Sequence, residues 1–208
     1  MGVFFLVFNE YLFTYICVVK LKDDKKVDQI FQAALKLVAR NGLSGITMGD
    51  LSKEAGIATG TLYVYFKGKD ELINALFATC RENSVQASFK GYDPQLPYKP
   101  GFRSIWMNIL RYKLQHFEEV IFMEQCYHSP FITADTREKA QLSSAPFYAL
   151  IERGKKEQLI KEVDMDLILT LIIGAMNELV KQTHYSAVPL NKRRINTAFE
   201  LCWDALKA

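Results

Sequence analysis

Between Thr59 and Phe66 the chain reads TGTLYVYF. Turned as a helix at about 100° per residue, Leu62 and Phe66 fall near about 300° and 340° from Thr59 and mark one apolar direction. Gly60, Val64 and Thr61 fall on the far side, near about 100°, 140° and 200°, while Tyr63 and Tyr65 flank the two edges. A helix enclosed in a core would not carry this set. Its open face is small, uncharged and rimmed by phenols, and Lys67 and Lys69 stand just beyond its end. The chemistry on offer is close contact. Gly60 lets the backbone approach another surface, Thr61 brings a hydroxyl, Val64 and the threonine methyl bring apolar contact, and the two ammonium groups suit phosphate. A major groove is such a surface, because it admits a helix whose N-terminal residues reach base edges while flanking groups hold the backbone.

The elements around this stretch have the form needed to position it. Val27, Ile30, Ala34, Leu37 and Val38 recur at three- and four-residue steps and predict an amphipathic helix that Asn41-Gly42 ends. Thr47 fits as the N-cap of a second helix with Asp50 completing a box-like start, and Met48, Leu51 and Ala55 line its buried side. Gly56 closes it, and Thr59 is expected to cap the helix after the short turn. Two short helices across a glycine-containing turn make a helix-turn-helix. Spacing alone fits a plain αα-hairpin in a bundle equally well, and the angular pattern of Thr59–Phe66 favours the DNA-binding form.

Composition excludes more than it reveals. The 208 residues suffice for one large or two small domains, and a net charge of +3 is too slight to indicate a nucleic-acid partner by itself. Cys17, Cys80, Cys126 and Cys202 lie far apart without metal-ligand spacing, as expected of spectator thiols in a reducing cytosol. No phosphate-binding glycine loop, zinc motif or nucleophile motif occurs, and Glu124 with His128 lacks a nucleophile or metal set to join it. No enzyme activity, metal or cofactor is expected. The segment MGVFFLVFNEYLFTYICVVK is apolar, but no Lys or Arg precedes its apolar run and Asn9 and Glu10 interrupt it. Three readings stay open for residues 1–22: a dispensable extension from an upstream start, an ordered arm, or a membrane anchor. Even in the last of these, Lys20, Lys22, Lys25 and Lys26 would keep the downstream domain on the cytoplasmic side.

The string ITMGDLSKEAGIATGTLYVYFKGKDELINALF, Ile46 to Phe77, with IFQAALKLVARNG before it, resembles the DNA-binding module of tetracycline-repressor-like (TetR family) transcriptional regulators. An apolar residue and Thr open the second helix, A-G-I comes next, a small residue precedes T-L-Y-V-Y-F, and K-G-K-D-E-L leads into a fourth helix. The resemblance implies that Thr47 contacts phosphate. It places Thr59, Gly60, Thr61, Tyr63, Val64 and Tyr65 on the recognition helix, and Lys69 on a phosphate at the start of the fourth helix. The extension before Asp23 is neither short nor basic, so no minor-groove contact is expected from Phe4 to Ile16.

Lys69 to about Phe89 reads as one helix, the covalent route from the recognition helix to the remainder. Gly91, Pro94, Pro97 and Pro100 then mark a loop. Helices are expected over 102–117, 118–128, 133–153, 164–182 and 191–207, with Pro146 kinking or interrupting the third of these. In DMDLILTLIIGAMNELVK the apolar residues cover nearly the whole circumference, so this helix is expected to be buried on all sides, by a partner subunit or by its own core. The resemblance implies a homodimer through the last two helices, with Leu167, Leu171, Gly174, Ala175, Ile195, Phe199 and Trp203 at the interface. It also implies a small-molecule pocket in the second domain. Trp106, Asn108, Arg111, Tyr112, Phe122, Glu124, Tyr127, His128, Phe147, Met176, Asn177 and His184 are the candidates for apolar walls with a few polar anchors.

The expected fold is all-α with about nine helices. Its parts are the extension 1–22, a helix-turn-helix unit over 23–70 with its motif at about 46–66, a connecting helix and Pro-rich loop over 71–97, and a ligand-binding and dimerisation domain over 98–208. The expected function is a cytoplasmic, dimeric regulator, a repressor released from a palindromic double-stranded operator by an unknown small-molecule effector. A helical small-molecule-binding protein and a membrane-tethered regulator are the alternatives, the second resting wholly on residues 1–22.

Overall fold

The computed structural model describes residues 24–208 apart from His128, so the readings that concern residues 1–22 and His128 lie outside the described residues. The described chain is all-α. Its helices are α1 (Asp24–Asn41), α2 (Met48–Glu54), α3 (Thr59–Tyr65), α4 (Lys69–Ser88), α5 (Tyr98–Gln115), α6 (Phe117–Tyr127), α7 (Ala134–Ser143), α8 (Ala145–Lys156), α9 (Met165–Tyr185) and α10 (Lys192–Leu206). Two compact units divide between Ile73 and Asn74, and α4 runs through the boundary. The helix count exceeds the nine expected because 133–153 forms two helices instead of one. Pro146 supplies no N–H and its ring crowds the preceding turn, so the chain breaks at Ser144 and restarts with the proline in the first turn of α8.

In the first unit, Ile30, Ala34 and Val38 of α1 are wholly enclosed, as are Leu51 of α2 and Leu62 of α3. The stripe that sequence spacing places on α1 is therefore its buried face. Two polar ties fix α1 to α2: Gln29 Nε2 donates to the carbonyl of Ala55 at 2.5 Å, and Arg40 pairs with Glu54. The α2–α3 turn depends on Gly56, whose φ of +64° is a left-handed conformation that side chains disfavour. It lets Ile57 N–H reach back to the carbonyl of Ser52 at 3.0 Å and terminate α2 with only four residues left before α3.

The second unit packs around α5. Phe102, Ile105, Trp106 and Ile109 meet Ile168, Ile172 and Met176 of α9, Phe199 and Trp203 of α10, and Leu150 and Ile151 of α8. Lys161 N–H donates to Leu206 at 2.9 Å and Ala208 N–H to Leu159 at 3.2 Å, tying the end of α10 to the α8–α9 link. Helix α8 approaches α5 closely at Gly154, where an added Cβ would collide with the Tyr98 ring and stand 2.6 Å from Ile160 Cγ1. Tyr98 is itself fixed there, its hydroxyl donating to the carbonyl of Leu150 at 3.0 Å. Gly154→Ala is expected to cost about 1–3 kcal/mol through overpacking. Thermal unfolding followed by circular dichroism checks this, and an unchanged midpoint would contradict the close approach.

Candidate functional site

The exposed side of α3 is built from below. Leu62 is 0% exposed and Phe66 7%, and Phe66 rests on Phe31 of α1 with ring centroids 5.7 Å apart. On the opposite side Tyr63 is 51% and Val64 70% exposed. Among the described residues an added Cβ at Gly60 would meet nothing within 4 Å, so their packing does not require glycine there. The space above Gly60 is open to an outside partner. Thr61 is half-buried beside it.

Two expectations for this helix are corrected. Tyr65 does not rim the open face, because it is 8% exposed and belongs to the core. Its direction, about 240° from Thr59, lies about 60° from Leu62, and the domain wraps α3 far enough round to enclose it. The rim of phenols is thus one-sided. Thr59 does not cap α3 either. Ala58 is the N-cap and makes no side-chain bond, while Thr59 is the first helical residue. Its hydroxyl instead pairs with that of Ser52 at 2.8 Å, and Ser52 donates to the carbonyl of Gly49 at 2.9 Å. Ser52, 4% exposed, is a positioning residue that sequence reasoning misses. Spacing gives no signal for it, since one small hydroxyl joining two short helices leaves no periodic trace.

Thr47 forms the full capping box: its Oγ1 accepts from Asp50 N–H at 3.1 Å, and Asp50 Oδ2 accepts from Thr47 N–H at 3.1 Å and from its hydroxyl at 2.6 Å. These bonds hold the Asp50 carboxyl below its ordinary pKa. The Thr47 hydroxyl is exposed but committed to the cap. Lys67 is exposed, and its N–H is held by Glu71 at 2.6 Å. Lys69 bends back to the carbonyl of Ser44 at 3.3 Å. Thr59, Gly60, Thr61, Tyr63, Val64, Lys67 and Lys69 all lie within the first unit, on α3, the segment after it and the first residue of α4.

In the second unit the pocket candidates separate. Trp106 and Phe147 line an apolar cavity of about 20 Å³ together with Ile109, Ile172 and Ile173. That volume holds little more than one water. Phe122 and Met176 are wholly buried core residues. Arg111 and His184 are exposed, His184 stacking on Phe117 at 3.7 Å, and Tyr127 is 65% exposed. Asn108 Nδ2 binds the carbonyls of Ser88 and Lys90 at 3.1 and 2.9 Å, closing the end of α4. The Tyr112 hydroxyl donates to Glu119 at 2.6 Å, and burial together with that bond raises its pKa. Glu124 and Asn177 do meet: Asn177 Nδ2 donates to Glu124 Oε1 at 3.1 Å, while Lys113 Nζ donates to Asn177 Oδ1 at 2.7 Å. Lys113 is not among the sequence candidates, and burial lowers its pKa to about 8. The thiols of Cys80 and Cys126 are buried, and burial raises both pKa values, that of Cys126 to about 12.

Along α9, Ile168, Ile172, Met176 and Val180 are buried in the subunit's own core, whereas Leu167 and Leu171 are 47% and 50% exposed and Gly174 and Ala175 are exposed beside them. The helix is therefore not buried on all sides within its own chain. Phe199 and Trp203 are core residues at 0% and 8% exposure, which removes them from any interface, and Ile195 is half-buried. Leu201, 67% exposed, is the apolar residue that α10 turns outward. No helix among the described residues is long and apolar enough to cross a membrane.

Two family models match the chain, one for bacterial regulatory proteins of the tetR family over residues 30–76 and one for a tetracyclin repressor-like C-terminal domain over residues 97–207. An uncharacterised HTH-type transcriptional regulator of Haemophilus influenzae is 27% identical over 180 residues, covering 86% of this chain and 95% of that protein. The HTH-type regulator YhgD of Bacillus subtilis is 27% identical over 181 residues, covering 86% and 94%. A TetR family transcription regulator of Marinobacter aquaeolei VT8 superposes with a TM-score of 0.83 at 26% identity, covering 90% of this chain and 98% of its own.

Lys113 gives this unit a pH signature. Its pKa falls from the ordinary 10.5 to about 8 on folding, so between these values the unfolded chain holds a proton that the folded chain has released. Stability attributable to Lys113 therefore rises with pH across that window, and the cost of the desolvated ammonium is complete below it. Urea unfolding of the parent and of Lys113→Met at pH 7 and pH 10 should show the parent gaining relative to the variant at the higher pH. A constant difference would contradict the desolvation.

Proposed function

The chain belongs to the tetR family of bacterial regulatory proteins, and from that premise we propose that it is a cytoplasmic, dimeric repressor that a small molecule releases from a two-fold symmetric operator. The observation that carries the DNA reading is the state of α3. One side is anchored by Leu62 at 0% exposure, while Tyr63 and Val64 stand outward at 51% and 70% and no described residue comes within 4 Å of a Cβ placed on Gly60. In this reading Gly60, Thr61 and Val64 face base edges, and Tyr63, Lys67 and Lys69 hold phosphate. Thr47 joins them by exchanging its bond to Asp50 for one to phosphate.

The dimer reading rests on the outward face of α9. Leu167, Leu171, Gly174 and Ala175 form one stripe, apolar and close-packing, on a helix whose other side is already covered. A second copy fits it, and two-fold pairing would present two recognition helices to successive major-groove faces. The effector reading rests on the kinship and on the enclosed second unit. One relative in fold, a FadR of Bacillus subtilis, carries stearoyl-CoA in its crystal structure. In this chain an effector would act by favouring a form of the dimer that DNA does not.

Mobility shift with the DNA upstream of the coding sequence tests the first claim. Tyr63→Ala combined with Lys69→Ala is expected to weaken specific binding about a hundredfold, the size of two charge-assisted contacts. Unaltered affinity in the folded double variant would refute it. For the dimer, Leu171→Glu is expected to shift the sedimentation coefficient to that of a monomer, and a persisting dimer would place the interface elsewhere.

A further inference from the structure

Resting on the DNA reading just given, we propose that each half of the operator is read through a thymine methyl group. Val64 is the side chain that meets it, and the bare backbone at Gly60 lets α3 come close enough for the contact. The placement follows from direction and burial together. Leu62, Tyr65 and Phe66 are all enclosed. They point near about 300°, 240° and 340° from Thr59, so the buried arc centres near about 290° and the outward direction lies near about 110°. Gly60 and Val64, at about 100° and 140°, stand one above the other across a single turn. They form the line of α3 that lies deepest in a groove. Tyr63 and Thr61, at about 40° and 200°, are on its two flanks.

What that line lacks decides the chemistry. In the major groove guanine is selected by Arg or Lys, adenine by Asn or Gln and cytosine by a carboxylate, whereas thymine alone presents a methyl group. The whole of α3, TGTLYVY, contains none of those polar side chains. The Thr59 hydroxyl is paired with that of Ser52 at 2.8 Å, Thr61 is half-buried, and the Tyr63 phenol stands at the edge where phosphate is held. Lys67 lies past Phe66, whose φ of −137° and ψ of 123° have already left the helix. It is therefore remote from the first turns, which reach base edges. Val64 remains. At 70% it is the most exposed large apolar side chain among the described residues, and covering its isopropyl group with another apolar group removes both from water. One turn before it, no described residue comes within 4 Å of a Cβ placed on Gly60. Glycine is a poorer helix former than alanine. The packing of the described residues does not account for that cost, and the close approach of a groove floor does.

The test uses the full-length protein and the duplex upstream of its coding sequence, prepared once with thymidine and once with deoxyuridine throughout. The exchange removes every C5 methyl group and keeps every hydrogen-bonding edge. Mobility shift is expected to show the uracil duplex bound about fifteenfold more weakly, from about fourfold for each methyl contact in a two-fold symmetric site. Val64→Ala is expected to weaken the thymine duplex and to lose most of the difference between the two. A difference that came from DNA shape would persist in that variant. Gly60→Ala is expected to raise the thermal midpoint, since alanine favours the helix, and yet to weaken binding of both duplexes. Equal binding of the two duplexes by the parent would overturn the methyl contact and leave DNA binding itself standing. A thymine preference kept in full by Val64→Ala would overturn the assignment to Val64, and parental affinity in Gly60→Ala would overturn the close approach. Binding of neither duplex would overturn the DNA reading and this proposal with it.

Discussion

A helix of seven residues has no stability of its own in water, and α3 exists because Leu62, Tyr65 and Phe66 are enclosed beneath it. Burial of those side chains supplies what the missing length cannot, at about 1.5–3 kcal/mol for each large apolar group fully enclosed. The Ser52–Thr59 hydroxyl pair then fixes α3 against α2, and the left-handed Gly56 keeps the turn between them short. Every outward residue of α3 inherits its direction from these contacts. Because all of the anchoring lies on one side, the other is free of structural duty, which is why glycine, threonine and valine can stand there together.

The second unit uses the same economy on a larger scale. Helix α9 divides its apolar circumference between two tasks: Ile168, Ile172 and Met176 complete the core around α5, and Leu167 and Leu171 remain outside it. The inner face is fixed by the core, and the outer apolar face belongs to the same rigid element. The contact of Lys113 with Asn177 lies on the inner side of that helix.

Much of this is legible in the sequence, for reasons that differ by element. The capping box at Thr47 and Asp50 and the buried stripe of α1 are local patterns, and that Pro146 disturbs the helix around it follows from the geometry of one residue. The division of 133–153 into two helices is not, because a proline in a helical pattern permits either a kink or a stop and only the surrounding packing decides. An angular wheel misplaces Tyr65, since it gives direction but not depth. It is the resemblance that places Phe199 and Trp203 at an interface, and their apolar stripe does not say which of two surfaces it meets. Ser52 ties two short neighbouring helices, and the Lys113–Asn177 and Arg81–Ser144 contacts join residues distant in the chain; no periodicity announces any of them. The outward residues of α3 are readable because their oddity is local. The polar contact of Lys113 with Asn177 is not, because it depends on which helices become neighbours.

The central claim is that the outward side of α3 lies against duplex bases, and alkylation of a cysteine installed there tests it most directly. In Val64→Cys the new thiol should react rapidly with a maleimide in the free protein, as its 70% exposed position requires, and become protected when the specific upstream duplex is added but not when an unrelated duplex is added. Equal labelling with and without the specific duplex, in a protein that still binds it, would contradict the account.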